Sequence, residues 1–161
     1  MRTGYLFLPL LLLTGCFLKT YHPVREFDLV CQPLTAKQSY NLLEFRNNST
    51  SGRRLQIRTS SGELKKDPYC LWALPPGELI PRAINSAMPS EGNAIDVAGN
   101  INRFEVDEKT QKMLLSGTFR VRGISHRFDI AIPLTHITPE TIVQAAGKAA
   151  DALAAEIVKV K

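Results

Sequence analysis

Few side chains in this sequence could do more than pack. Cys16 stands behind Met1-Arg2, an uncharged and mostly apolar run from Tyr5 to Leu13, and the small pair Thr14-Gly15. A basic start, an apolar middle and small residues before a cut are the marks of a secretory signal, so the thiol lies where processing would expose it. Cys31 and Cys70 remain as an even pair that an oxidising compartment could bridge; both fall in predicted strands, where lone cysteines also serve as small hydrophobes. That disulfide stays open. His22, His126 and His136 show no metal-ligand spacing, and no nucleophile elbow is present. His126 and Asp129, three apart on a predicted strand, face opposite sides. Asp96, Glu105 and Asp107 read as strand surface, not as a paired acid and base. No catalytic residue, metal or cofactor is predicted, and the chain is not read as an enzyme.

Leu13-Thr14-Gly15-Cys16 resembles the bacterial lipobox, in which the cysteine is diacylglyceryl-modified and becomes the acylated first residue after cleavage. The apolar run ends after roughly ten residues, half of what a spanning helix needs. Residues 1–15 are therefore predicted to be a lipoprotein signal peptide, 16–24 a lipidated tether and 25–161 a single periplasmic α/β domain. Phe17, not aspartate, follows the cysteine, and the resemblance to proteobacterial sorting signals points to the outer membrane, lipid-anchored and facing the periplasm. Two or three acyl chains, at roughly 0.8 kcal/mol per buried methylene, hold a protein durably. At no more than about 3.5 Å per residue, Phe17 to Pro23 would reach roughly 25 Å, which keeps the domain near the lipid.

The chain has 161 residues and a formal charge of +5, part of which is Arg2. That is mildly basic, without the basic stripes or interleaved aromatics of a nucleic-acid binder. Arg53, Arg54, Arg58, Lys65 and Lys66 gather with Glu63 as the sole acid among them; they fit a solvated edge strand better than a face for anionic lipid.

The elements that must position these groups follow from periodicity. Phe27, Leu29 and Cys31 alternate with polar neighbours and Val30, Tyr40 to Phe45 is apolar, Leu55 to Thr59 alternates, and Tyr69 to Trp72 is a fourth strand. Asn47 to Gly52 is a turn by composition. Leu79, Ile80, Ala83, Ile84, Ala87 and Met88 share a helical face; Pro81 is tolerable there only in the first turn. Ile95–Val106, Met113–Arg122 and His126–Leu134 predict an antiparallel meander, and a phase slip between Ile101 and Phe104 predicts a bulge near Asn102. Thr138 as N-cap, Pro139 and Glu140 open a final helix whose stripe runs Ile142, Ala146, Ala149, Leu153, Ile157, Val160. The expected fold is an α/β (α+β) sandwich: a mostly antiparallel sheet with two helices on one face.

This order of elements resembles the ABC-type transport auxiliary lipoproteins, the PqiC-like group. Its most specific pieces are Trp72-Ala73-Leu74-Pro75-Pro76-Gly77-Glu78-Leu79 and the helix from Pro139 to Val160. The stretch from Gln38 to Arg58 departs, because a proline-rich Leu-Pro-x-Tyr-Leu segment usual in the family is replaced by the polar turn. The resemblance implies a non-catalytic outer-membrane lipoprotein that partners an MCE-type protein and an ABC permease and ATPase in moving lipids or hydrophobic compounds. A pilotin-like assembly lipoprotein and a lipid-binding carrier are the alternatives. The partners expected are the membrane through its anchor and those transport proteins, without nucleic acid, and a homo-oligomer stays open.

Overall fold

The computed structural model describes residues 21–36, 38–89 and 93–160. The signal-like run, Cys16 and Phe17 lie outside the described residues. The architecture is α+β: an open, mixed eight-stranded sheet and two helices. Three long strands form its spine: β6 (Ile95–Asp107), β7 (Lys112–Val121) and β8 (Ile124–Pro133), paired as the expected antiparallel meander. The β7–β8 turn has Arg122 and Gly123 at φ 50° and 84°, the left-handed pair that a two-residue hairpin demands. The β6–β7 turn is held by Asp107, whose carboxylate accepts from the N–H of Lys109 at 3.0 Å.

The remaining strands depart from the expectation of a mostly antiparallel sheet. Along the other edge of β6 lie three short strands end to end, β2 (Tyr40–Leu42), β3 (Arg46–Asn47) and β4 (Arg54–Arg58), all parallel to it. Antiparallel to β4 runs β5 (Leu64–Trp72), and β1 (Arg25–Phe27) closes that edge parallel to β5. The basic stretch is an edge only in part: Arg54 and Arg58 lie on β4, between β5 and β6, whereas Lys65 and Lys66 lie on β5 ahead of Cys70, where β1 begins to cover its outer side. The alternation of Phe27, Leu29 and Cys31 also misleads beyond Phe27. Past that residue the chain is a strap against the helices: Gln32 N–H donates to the Asp151 carboxylate at 2.9 Å and Leu34 N–H to Ala87 O at 2.9 Å. Burial by helices, not by strand pairing, imposed that period.

Register in β6 shifts between Ile101 and Arg103, so Asn102 is the extra residue expected from the phase slip. Val97 and Ile101 before it, and Phe104 and Val106 after it, all reach the helix side and are buried.

Both helices cover that side, α1 (Pro76–Ala87) against β2, β3 and β6 and α2 (Pro139–Lys159) against β7 and β8. Thr138 caps α2, its hydroxyl accepting from Thr141 N–H at 3.3 Å. Ile142, Ala146, Ala149, Leu153 and Ile157 are buried as the stripe predicts, and the alanines let the helix lie close to the strands. Pro81 lies past the first turn of α1, the one place where a proline is readily tolerated, yet the helix continues through it. A proline there leaves the carbonyl four residues back without its donor. That carbonyl is Gly77 O, and it accepts instead from Phe45 N–H at 2.8 Å. The approach requires Gly77 itself, since a Cβ there would stand 2.0 Å from Phe45 O.

Candidate docking face

The helices leave one face of the meander uncovered. In a strand alternate residues share a face, so Asn100, Arg103 and Glu105 of β6, Leu114 to Arg120 by twos on β7, and Ser125 to Ala131 by twos on β8 look away from the core. Their side chains range from half-buried to exposed except at Glu105. Glu105 is 5% exposed although it faces outward. Arg58 of β4 reaches it through two bonds, Nε to Oε1 at 2.8 Å and Nη2 to Oε2 at 3.0 Å, and Arg103 Nη2 adds a third to Oε1 at 2.8 Å. Burial alone would raise the Glu105 pKa, but the two guanidiniums outweigh it and hold the carboxyl below its ordinary range. The cluster keeps one net positive charge on the surface.

Beside it a depression of about 600 Å³ opens between the β2–β3 link and the meander, lined by Glu44, Arg46, Asn100, Thr118, Arg120 and Ser125. It is wide and polar. Asn100 Nδ2 donates to Thr118 Oγ1 at 3.2 Å across its floor. Phe45 seals it from below, and Gly99 permits this, since a Cβ there would stand 2.6 Å from the Phe45 ring.

The residues that could do chemistry are scattered. His126 lies on the helix side, its ring stacked on Phe119 at 5.2 Å, while Asp129 lies on the open side, as their spacing predicts. Asp96 accepts from Asn41 Nδ2 at 2.8 Å; Asp107 serves its turn and lies near enough to Arg58 and Arg103 to feel their charge. Among the described residues, no three of the His, Cys, Asp and Glu side chains group where they could hold a metal ion. Cys31 and Cys70 are separate buried thiols. Burial, with Asp151 beside it, pushes the Cys31 thiol up to about 12; burial and Asp67 raise that of Cys70. Sequence reasoning missed the Arg58–Glu105–Arg103 cluster. Its signal was Arg103-x-Glu105 on one face of a strand, with Arg58 on another alternating strand.

At the β1 edge, Tyr21, Val24 and Tyr69 are exposed and His22 stacks on Tyr69 at 5.0 Å. Arg25 joins β1 to α2 through Glu140 at 2.6 Å. Among the described residues no helix is long and apolar enough to cross a membrane.

The fold and this face define an α+β domain with one open, polar sheet face. No family model matches the chain. No curated protein matches it either. Solved structures share the fold, among them these two. A crystal structure of an uncharacterised protein is similar with a TM-score of 0.67 and 12% identity, covering 85% of this chain and 97% of that one. A Xanthomonas campestris protein of the family DUF330 is similar with a TM-score of 0.59 and 18% identity, covering 84% of this chain and 92% of that one.

Proposed function

We propose that the protein is a lipid-anchored outer-membrane auxiliary of an ABC/MCE-type transport system, acting by docking and without chemistry of its own. The observation that carries this reading is Leu13-Thr14-Gly15-Cys16 behind its apolar run, with the first strand following at Arg25. A tether that short confines the domain to the membrane surface and raises its effective concentration toward partners there. Two further features support it. The β1 edge next to the tether displays Tyr21, Val24 and Tyr69, residue types that suit a lipid–water boundary. The open face offers arginines, hydroxyls and amides spread over a broad surface with a wide, open depression, which suits a protein partner better than a small substrate.

The test is Cys16→Ala, followed by metabolic labelling with an alkyne fatty acid. The parent chain should incorporate label and sediment with outer membranes, and the variant should do neither. Undiminished labelling of the variant sinks the lipoprotein reading. In cells that depend on the transport system, an exported domain lacking Cys16 should fail to complement; full complementation would reject docking by tether.

A further inference from the structure

β8 ends the sheet on the side opposite β1, and among the described residues no strand pairs with its outer edge. It is a ten-residue strand without a register shift. Which groups face outward follows from the hairpin. Val121 and Ile124 close the two-residue turn, and Leu134 N–H donates to Gln111 O at 2.8 Å. Bonded residues alternate in an antiparallel ladder, so Ile124, His126, Phe128, Ile130 and Ile132 turn their backbone groups to β7. Ser125, Arg127, Asp129 and Ala131 turn theirs to solvent, and all four are exposed. Natural proteins usually blunt such an edge with like charges, proline or a bulge. Here Pro133 blunts only the last position, and the two charges in the middle have opposite signs.

We propose that β8 pairs antiparallel with β8 of a second copy of this chain, about a two-fold axis at Phe128, so that two sheets join into one. The register follows from the side chains. With Phe128 opposite its own counterpart, Arg127 falls opposite the partner's Asp129 and Asp129 opposite the partner's Arg127. Ser125 then faces the partner's Ala131, and Ile124, 61% exposed, faces the partner's Ile132. Each of the edge-facing pairs exchanges two backbone hydrogen bonds. The adjacent registers that keep the bonding parity centre on Arg127 or on Asp129, and either one sets like charges directly across from each other, which is unfavourable. Only the Phe128 register is complementary in charge. Among the described residues, neither Arg127 nor Asp129 is engaged in an ion pair, so no bridge breaks on pairing. The two-fold axis stands perpendicular to the sheet, which puts the helices of both copies on the same side. A closed, self-complementary contact of this kind gives a dimer and not a fibre.

Sedimentation velocity of the full chain in mild detergent should show a concentration-dependent dimer. Arg127→Asp and Asp129→Arg, each alone, should shift it to monomer, and the two together should restore the dimer. Hydrogen-bonded pairs hold their Cα atoms about 5.5 Å apart, within disulfide reach. Mixing Arg127→Cys chains with Asp129→Cys chains under oxidation should therefore give a cross-linked dimer above the wild-type background, while neither variant alone should. A wild-type monomer at every concentration overturns the proposal. So does charge reversal without effect, a double swap that stays monomeric, or efficient cross-linking of Arg127→Cys with itself.

Discussion

Gly77→Ala tests whether the second-turn proline and the crossing strand segment form one lock. Inside most helices the change gains roughly 0.5–1 kcal/mol, because alanine loses less freedom on folding. At Gly77 the new Cβ would stand 2.0 Å from Phe45 O and 3.2 Å from Phe45 C, both backbone atoms that cannot swing aside. Either α1 or the β2–β3 segment must retreat. That retreat stretches the Phe45 N–H to Gly77 O bond, which contributes about 1 kcal/mol. Overpacking strain costs typically 1–3 kcal/mol more. After the propensity gain is subtracted, the expected loss is about 1–3 kcal/mol, read as a lower urea midpoint with an unchanged slope. The Phe45 amide should also exchange faster with solvent. Gly52→Ala is the control, since a Cβ there meets nothing within 4 Å, and its midpoint should hold or rise slightly. A Gly77→Ala chain as stable as its parent, or one no worse than Gly52→Ala, would refute the lock.

Glu105→Gln should destabilise the domain by about 1–3 kcal/mol: breaking a buried pair costs about 3–5 kcal/mol, but Arg58 and Arg103 are 38% and 43% exposed and water takes up part of the loss. Because folding lowers the Glu105 pKa, its contribution is complete above the ordinary carboxylate range and disappears as pH falls through the folded value, so the parent should lose more stability than Glu105→Gln on acidification; parallel pH profiles would contradict this. Cys31, its thiol raised to about 12, and Cys70, also raised, should resist iodoacetamide at pH 8 in the folded chain and react fully in urea without reductant, as mass spectrometry would read; failure to react in urea would mean that they are bridged.

The parts legible in the sequence are those whose pairing is local. The β6–β8 meander announces itself by alternation and turn residues, the Asn102 bulge by a slipped phase, and α2 by Thr138 and its stripe. These signals survive because each element meets its neighbour in the chain. The parallel pairing on β6 was hidden for the opposite reason. β2 and β4 fall within runs read as strands, but β3 holds two residues, too few for any period to show, and the place of β2 and β3 is set by contacts about fifty residues away. The strap after Phe27 mimics a strand because two helices bury every second side chain. Pro81 misleads because its helix is repaired from outside, by Phe45. On the open face, Glu105 looks like any surface acid until the fold brings Arg58 to it.

The bulge at Asn102 gives β6 something like a reading frame. Val97, Ile101, Phe104 and Val106 all face the helices, but only because one residue between them is not counted. Strike out Asn102, and Ile101, Arg103, Phe104, Glu105 and Val106 alternate strictly, each still on its present face. Strike out any residue from Phe104 to Val106 instead, and part of the strand turns over, sending the Glu105 carboxylate or an arginine toward the core. The uncounted residue lies in the stretch of β6 between the end of β3, at Ile101, and the first β4 contact, at Val106, where the outer edge has no ladder to keep in step. Asn102 is thus the strand's silent position, where length can change without changing meaning, and the residues to either side of it are read in two frames that agree.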